Sequence, residues 1–152
     1  LLTVITKVKI PDMSEKTKSH SAGGAVSDLD IGTGAYEPLS MTFSAEGINK
    51  EVIKGLGMRK KYTARGNIRD LQTGEDKPLK VIVEGKLTKY SSGEFSRDSG
   101  TSSDYEIKEV ISYQVWVDGQ EQIYFDYFAG PLGIRINGVQ TQIQRARNLG
   151  IA

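Results

Sequence analysis

Apolar and polar residues alternate at every second position through most of this 152-residue chain, and that rhythm restricts its fold more than any other property. A period of two places one face of an extended segment in a core and leaves the other for solvent or an interface. The chain therefore reads as mainly β, a small antiparallel β-barrel or sandwich with one short internal helix and a C-terminal helix. Leu1 to Ile10 is the first strand, with Val4, Thr6, Val8 and Ile10 on one face and Ile5, Lys7 and Lys9 on the other. Pro11 ends it, having no N–H for the ladder. Leu39, Met41, Phe43 and Ala45 alternate with Ser40, Thr42 and Ser44 in a second strand, whose opposite face is small, polar and uncharged.

Between these strands, residues 14–35 contain Ser, Lys, Gly and Asp with only scattered apolar positions. Such a long polar loop is rarely kept in a compact domain without a use, which makes it the first candidate interaction element. Ile48, Val52, Ile53 and Leu56 recur at helical spacing between Gly47 and Gly57, predicting a short amphipathic helix over residues 48–56 that plugs one end of a barrel. Residues 59–70 and 78–90 flank the turn residues Gln72 to Asp76, with Leu79, Val81, Val83 and Leu87 supplying a buried face. Residues 90–104, rich in Ser and Gly, form a second long polar loop. Residues 105–117 and 120–129 flank Asp118-Gly119, a dipeptide favoured in tight hairpins because both positions accept positive φ. A last short strand, Ile134 to Ile136, leads through Asn137-Gly138 to a helix at 141–149. There Thr141 and Gln144 have capping-box spacing, and Ile143, Ala146 and Leu149 form the apolar stripe.

The length suffices for one well-buried core and is too short for two ordinary domains, so residues 1–152 are read as a single domain. No apolar run approaches the ~20 residues needed to span a bilayer. The opening Leu1-Leu2-Thr3-Val4-Ile5 lacks a basic n-region and reads as a strand, not a signal peptide. Because Leu1 is not Met, a few native residues are expected ahead of it. Cysteine is absent, which removes disulfides and thiolate chemistry and fits assembly in a cytoplasm. The net charge of +1, from 20 basic and 19 acidic side chains, lacks the cationic excess by which duplex-binding proteins release counterions. Residues 37–89 carry eleven basic and seven acidic groups, and residues 90–106 carry one and four. That asymmetry either sets head-to-tail contacts between subunits or is ordinary solvated surface.

The sequence offers no catalytic, cofactor-binding or metal-ligand pattern. His20 is the only histidine and has no triad or metal partner at a useful spacing. Asp28 with Asp30, and Glu75 with Asp76, offer too few oxygens for calcium. Gly32-Thr33-Gly34 lacks the third glycine of a dinucleotide fingerprint. The aromatic series Tyr113, Trp116, Tyr124, Phe125, Tyr127 and Phe128 reads as core and cross-strand pairs, against the alternative of a base-stacking platform. Arg59, Lys60, Lys61, Arg65 and Arg69 form the densest basic stretch. On a strand they would split between two faces, which favours a solvated edge or intersubunit salt bridges over a phosphate site.

Several short blocks lie between the strand-like segments: Ile10-Pro11-Asp12-Met13, Leu39-Ser40-Met41, Thr73-Gly74-Glu75, Asp118-Gly119-Gln120-Glu121, Ile136-Asn137-Gly138-Val139 and Arg147-Asn148-Leu149-Gly150-Ile151. In this order and spacing, over nearly the whole chain, they resemble the major tail tube proteins of contractile-tailed bacteriophages. Lys16 after the first block and Gly23-Gly24 match that family's first strand and the long glycine-containing loop that follows it. Asp118-Gly119 with Glu121 and Asp126 resembles its late hairpin.

The resemblance implies a non-enzymatic subunit that forms hexameric rings, stacked into a hollow tube inside a contractile sheath, through which DNA leaves the capsid. It also implies the partners: further copies of the chain, the sheath protein outside, the tape measure protein and DNA in the lumen, and a baseplate and tail terminator at the ends. Lys16, Lys18, Gly23, Gly24, Asp28 and Asp30 become candidate ring-stacking residues. Ser40, Thr42 and Ser44 become candidates for the channel face, because small uncharged hydroxyls stay hydrated without gripping phosphate. A tube of an R-type bacteriocin or of a type VI secretion system fits the same residues, and a monomeric nucleic-acid- or ligand-binding barrel is the rival from another class.

Overall fold

In the computed structural model, which describes residues 5–48, 50–94, 97 and 100–152, period-two alternation is realised in antiparallel sheets. The elements run β1 (Ile5–Lys9), β2 (Glu15–His20), β3 (Leu29–Tyr36), β4 (Met41–Glu46) and α1 (Lys50–Ile53). They continue through β5 (Arg59–Arg69), β6 (Asp76–Ser92), β7 (Ser102–Val117), β8 (Gln120–Asp126) and a 3₁₀ segment (Tyr127–Gly133). The chain ends with β9 (Ile134–Ile136), β10 (Val139–Gln140) and α2 (Ile143–Asn148). Leu1–Val4 of the expected first strand lie outside the described residues.

β6 and β7 organise everything else. They pair along their length, Leu79 opposite Val117 to Ser92 opposite Ser103. On the other edge of β7 the partner changes midway: Ser102–Ile107 pair with β4, and Ser112–Val117 pair with β8. β7 therefore belongs to two layers, β1-β4-β7-β6 and β5-β6-β7-β8-β9-β10. The change of partner is accompanied by irregular pairing near Glu84/Lys86 and by Glu109 in the left-handed region at φ 53. Gly85 sits at that crossing because a Cβ there would lie 2.9 Å from Ile107 Cγ2 and 3.0 Å from the Lys108 carbonyl oxygen.

The core lies between the layers. Met41, Phe43, Ala45, Val81, Val83 and Leu87 meet Tyr105, Ile107, Tyr113 and Val115, all buried. Phe43 stacks on Tyr105 with centroids 4.8 Å apart, and Tyr62 and Tyr90 flank that pair. The Tyr113 hydroxyl donates to the Pro11 carbonyl oxygen at 3.2 Å, while the buried Tyr105 hydroxyl has no hydrogen-bond partner among the described residues. The sheet does not close into a barrel. β1 and β5 face each other across a groove of about 610 Å³ lined by Ile5, Val8, Phe43, Val52, Tyr62 and Ala64, so a sandwich is the form adopted.

Several expectations need correction. The polar stretch 14–35 is not an irregular loop: β2 and β3 pair as a two-stranded sheet outside the main one. Both of its sides are largely exposed, so burial does not select one face, which hides the strand period. The second loop, 90–104, is shorter than expected, because Tyr90, Ser91 and Ser92 pair with Tyr105, Asp104 and Ser103. Serine hydroxyls tolerate a strand whose outer side is wet. The helix over 48–56 shrinks to Lys50–Ile53 followed by tight turns, with Ile48 and Leu56 exposed and Val52 and Ile53 packed on the core. It covers one end of an open groove instead of plugging a barrel.

The strand over 120–129 stops at Asp126, whose carboxylate accepts from the Phe128 N–H and turns the chain into the 3₁₀ segment. Asn137-Gly138, both at positive φ, closes a small hairpin to β10 before the last helix. That helix begins at Ile143 with Gln142 as its cap and no side-chain capping bond, so the Thr141/Gln144 capping box does not form. Ala146 is buried, but Leu149 is 61% exposed, leaving the apolar stripe incomplete.

Candidate functional site

Among the described residues the exposed polar and charged side chains are gathered on the hairpin and on the outer faces of the two layers. In the β2–β3 hairpin, residues directly opposite share a side. Lys18 faces Ile31 and His20 faces Leu29, with Lys16 on the same side by alternation. Thr17 faces Gly32 and Ser19 faces Asp30 on the other side, where the Glu15 carboxylate lies over Gly32 and accepts from the Gly34 N–H at 2.8 Å. One side is thus cationic and apolar, the other acidic and hydroxylic. Gly23 and Gly24 form the turn at the tip, and Asp28 immediately precedes β3.

The base of the hairpin is fixed to α2. Gln142 Nε2 donates to the Gly34 carbonyl oxygen at 2.7 Å and Arg145 Nη1 to that of Thr33 at 3.1 Å. Gly34 has φ +79, and a Cβ there would strike the Arg145 guanidinium, so glycine is required on both counts. Glu15, Gln142 and Arg145 were not distinguished by sequence, since their contacts span distant segments. Burial, with the Glu15 charge adding to it, pushes the Tyr36 phenol pKa up at the hairpin's root.

Thr42 and Ser44 lie on the side of β4 away from the core, Thr42 exposed and Ser44 half-buried, and Ser40 is exposed just ahead of the strand. They are not on an uncharged surface. The rows across the layer read Lys9, Thr42, Glu106, Lys89 and Lys7, Ser44, Asp104, Ser91. Ser44 Oγ donates to Asp104 Oδ1 at 2.6 Å. Lys7 and Lys9 share a face as their spacing predicts, but Ile5, expected beside them, is turned to the core side opposite Ala45 by a register shift between Ile5 and Lys7.

The basic stretch also differs from expectation. β5 pairs with β6 without a register break, so Arg59, Lys61, Arg65 and Arg69, all at odd positions, share one face, and Lys60 lies on the other with Tyr62 and Ala64; Lys61 and Arg65 also border the groove along this edge. The split is four to one, and the patch is not diluted. Arg59 pairs with Glu109 at 2.7 Å. Arg65 stands directly opposite Lys80, a like-charged pair, with Trp116 the next residue in that row.

The aromatics divide. Tyr113 and Phe125 form a cross-strand pair on the core side. Trp116 and Tyr124 are half-buried on the outer face, where Arg135 lies 4.0 Å over the Tyr124 ring and also pairs with Glu121 at 3.0 Å. Tyr127 and Phe128 meet edge to face and are exposed.

His20 is exposed on β2. Among the described residues no group of three or more His, Asp or Glu side chains is gathered to hold a metal, and no helix is long and apolar enough to cross a membrane. A family model described as phage tail tube protein FII matches residues 1–150. Comparison with curated proteins gave no match.

Proposed function

We propose, on the premise that this chain belongs to the phage tail tube protein FII family, that it builds the inner tube of a contractile tail as stacked hexameric rings whose lumen conducts DNA. Membership of that family makes it a structural component of the virion tail that self-assembles into a tube. The match over residues 1–150 is the observation that carries the reading. Sheath protein surrounds this tube, the tape measure protein and DNA occupy it, and baseplate and terminator close its ends. Assembly takes place in the host cytoplasm before release.

Within this reading the hairpin, with Lys16, Lys18, Gly23, Gly24, Asp28 and Asp30, is the ring-stacking arm. It projects from the main sheet, and its strands extend about 20 Å at ~3.3 Å per residue. Among the described residues one edge each of β1 and β5 has no strand partner, and such edges are suited to strand pairing between neighbours, which closes them by main-chain bonds. Ser40, Thr42 and Ser44 face the channel. There Asp104 and Glu106 repel phosphate while Lys7, Lys9 and Lys89 hold the local charge near balance.

Negative-stain microscopy of concentrated protein tests the proposal. Six-fold rings and stacked tubes are expected, and a population of monomers alone across salt, pH and concentration overturns it.

A further inference from the structure

Two opposed charge features of the surface are the acidic side of the hairpin and the cation pair on β5 and β6. We propose that they are mates: the Asp30 side of the hairpin in one copy, with Asp28 just ahead of it in the chain, docks on the Arg65–Lys80 pair of a second copy. The inference rests on the tube reading and deepens it by naming the two surfaces that meet.

Arg65 and Lys80 occupy directly opposed positions, an arrangement that is destabilising when both charges have the same sign. Thr63 opposite Ile82 lies on one side and Asn67 opposite Pro78 on the other, and along the row itself Trp116 stands between the pair and Glu121, whose carboxylate is engaged by Arg135. Among the described residues neither cation enters an ion pair, and neither does Asp28 or Asp30. A carboxylate set between Arg65 and Lys80 removes the repulsion and gains charge-assisted hydrogen bonds, for which the planar guanidinium is suited.

The hairpin presents that carboxylate on the side that carries no cation. Asp30 stands opposite Ser19 and one step from Thr17 and Gly32, with Lys16, Lys18 and His20 turned away. A hairpin docking through this side brings acid to the pair without bringing its lysines. β5 pairs only with β6, so its far edge does not obstruct the approach. The net charge of +1 sets no general repulsion between copies.

The occupant is a second copy because the two patches are different parts of one chain. A contact between unlike patches is heterologous, and if its rotation does not close it propagates head to tail without limit. Stacking rings into a tube requires that property. Duplex phosphate is the competing anion, and it is disfavoured by a chain whose charges nearly cancel.

The test uses the intact chain in two charge-reversed forms, Asp28→Lys/Asp30→Lys and Arg65→Glu/Lys80→Glu. Each alone should reduce pelletable tube by about tenfold or more, since like charges then meet at the contact. A one-to-one mixture should restore tubes, because each variant's hairpin then faces an opposite charge on the other. The neutral variant Asp28→Asn/Asp30→Asn should lower the yield with the wild-type melting temperature, separating loss of contact from loss of fold.

Wild-type tubes with either reversal still assembling normally overturn the pairing and leave the tube reading standing. Two defective variants that the mixture does not rescue overturn it as well. A wild-type affinity for duplex oligonucleotide that disappears in Arg65→Glu/Lys80→Glu, with tubes unaffected, assigns the cations to nucleic acid instead. No assembly by the wild-type protein defeats the tube reading, and this pairing with it.

Discussion

Gln142, one residue before the last helix, donates from its side-chain amide to the carbonyl oxygen of Gly34, 2.7 Å away and 108 residues earlier in the chain. Together with Arg145 on Thr33, this bond attaches the hairpin where it leaves the domain, while Val26 near its tip is fully exposed. The arm is therefore held at its root and free along its length. A neighbouring molecule meets a projecting element whose direction is already set, which reduces the ordering entropy that docking must overcome.

Removing that attachment should loosen the hairpin alone. Gln142→Ala with Arg145→Ala deletes two hydrogen bonds worth roughly 1 kcal/mol each, so exchange of the Leu29–Tyr36 amides should accelerate by about tenfold or more. Amides of β6 and β7 should keep their protection in the same hydrogen-exchange experiment. Equal acceleration in the core would show that the attachment supports the whole domain.

Deleting residues 17–33 should leave a folded domain, since β2 and β3 pair only with each other and add nothing to the main sheet's ladder. Circular dichroism should retain the β signature and gel filtration should show soluble subunits or rings. Long tubes from the deleted protein would contradict the role given to the arm.

Two core tyrosines should respond oppositely to loss of their hydroxyls. Tyr105→Phe removes a buried group without a partner and should be neutral or stabilising, whereas Tyr113→Phe removes the bond to Pro11 and should cost about 1 kcal/mol in urea melts. Burial, and secondarily the charge of Asp12, raises the Tyr113 phenol above its ordinary pKa of 10.0. A raised folded value means that this contribution is intact below about pH 10 and is lost as the pH climbs from the unfolded pKa through the folded one. Tyr113→Phe should therefore weaken the alkaline decline, with the residual slope coming from Tyr36 and Tyr62, whose phenols are also raised.

Ser40→Lys with Thr42→Lys tests the channel assignment. Rings and tubes should still form, and DNA passage should slow in a salt-dependent way because each new cation adds a phosphate contact. If this face instead packs on a neighbour, the same change buries unpaired charge, and microscopy will show assembly abolished.

How much of this was legible in the sequence varied with the side a residue faces. Met41, Phe43, Ala45, Val81 and Val83 announced their strands because burial enforces the alternation. Asp118-Gly119 announced its turn because its backbone angles demand those residues. The β2–β3 hairpin stayed hidden because both of its sides are wet and nothing selects a period. The change of partner along β7 was hidden too, since Lys108 to Ile111 carry no local mark of it. The shared face of Arg59, Lys61, Arg65 and Arg69 was present in their odd numbering, and only a bulge in β5 would have broken it.

β6 and β7 run through both layers, so the β1 edge and the β10 edge hang on one and the same strand, β7. A pull on either edge is therefore taken up by continuous covalent backbone, and what lies between the layers is a shift of register at Glu84/Lys86 and Leu87/Lys89, not a linker between two separately folded plates.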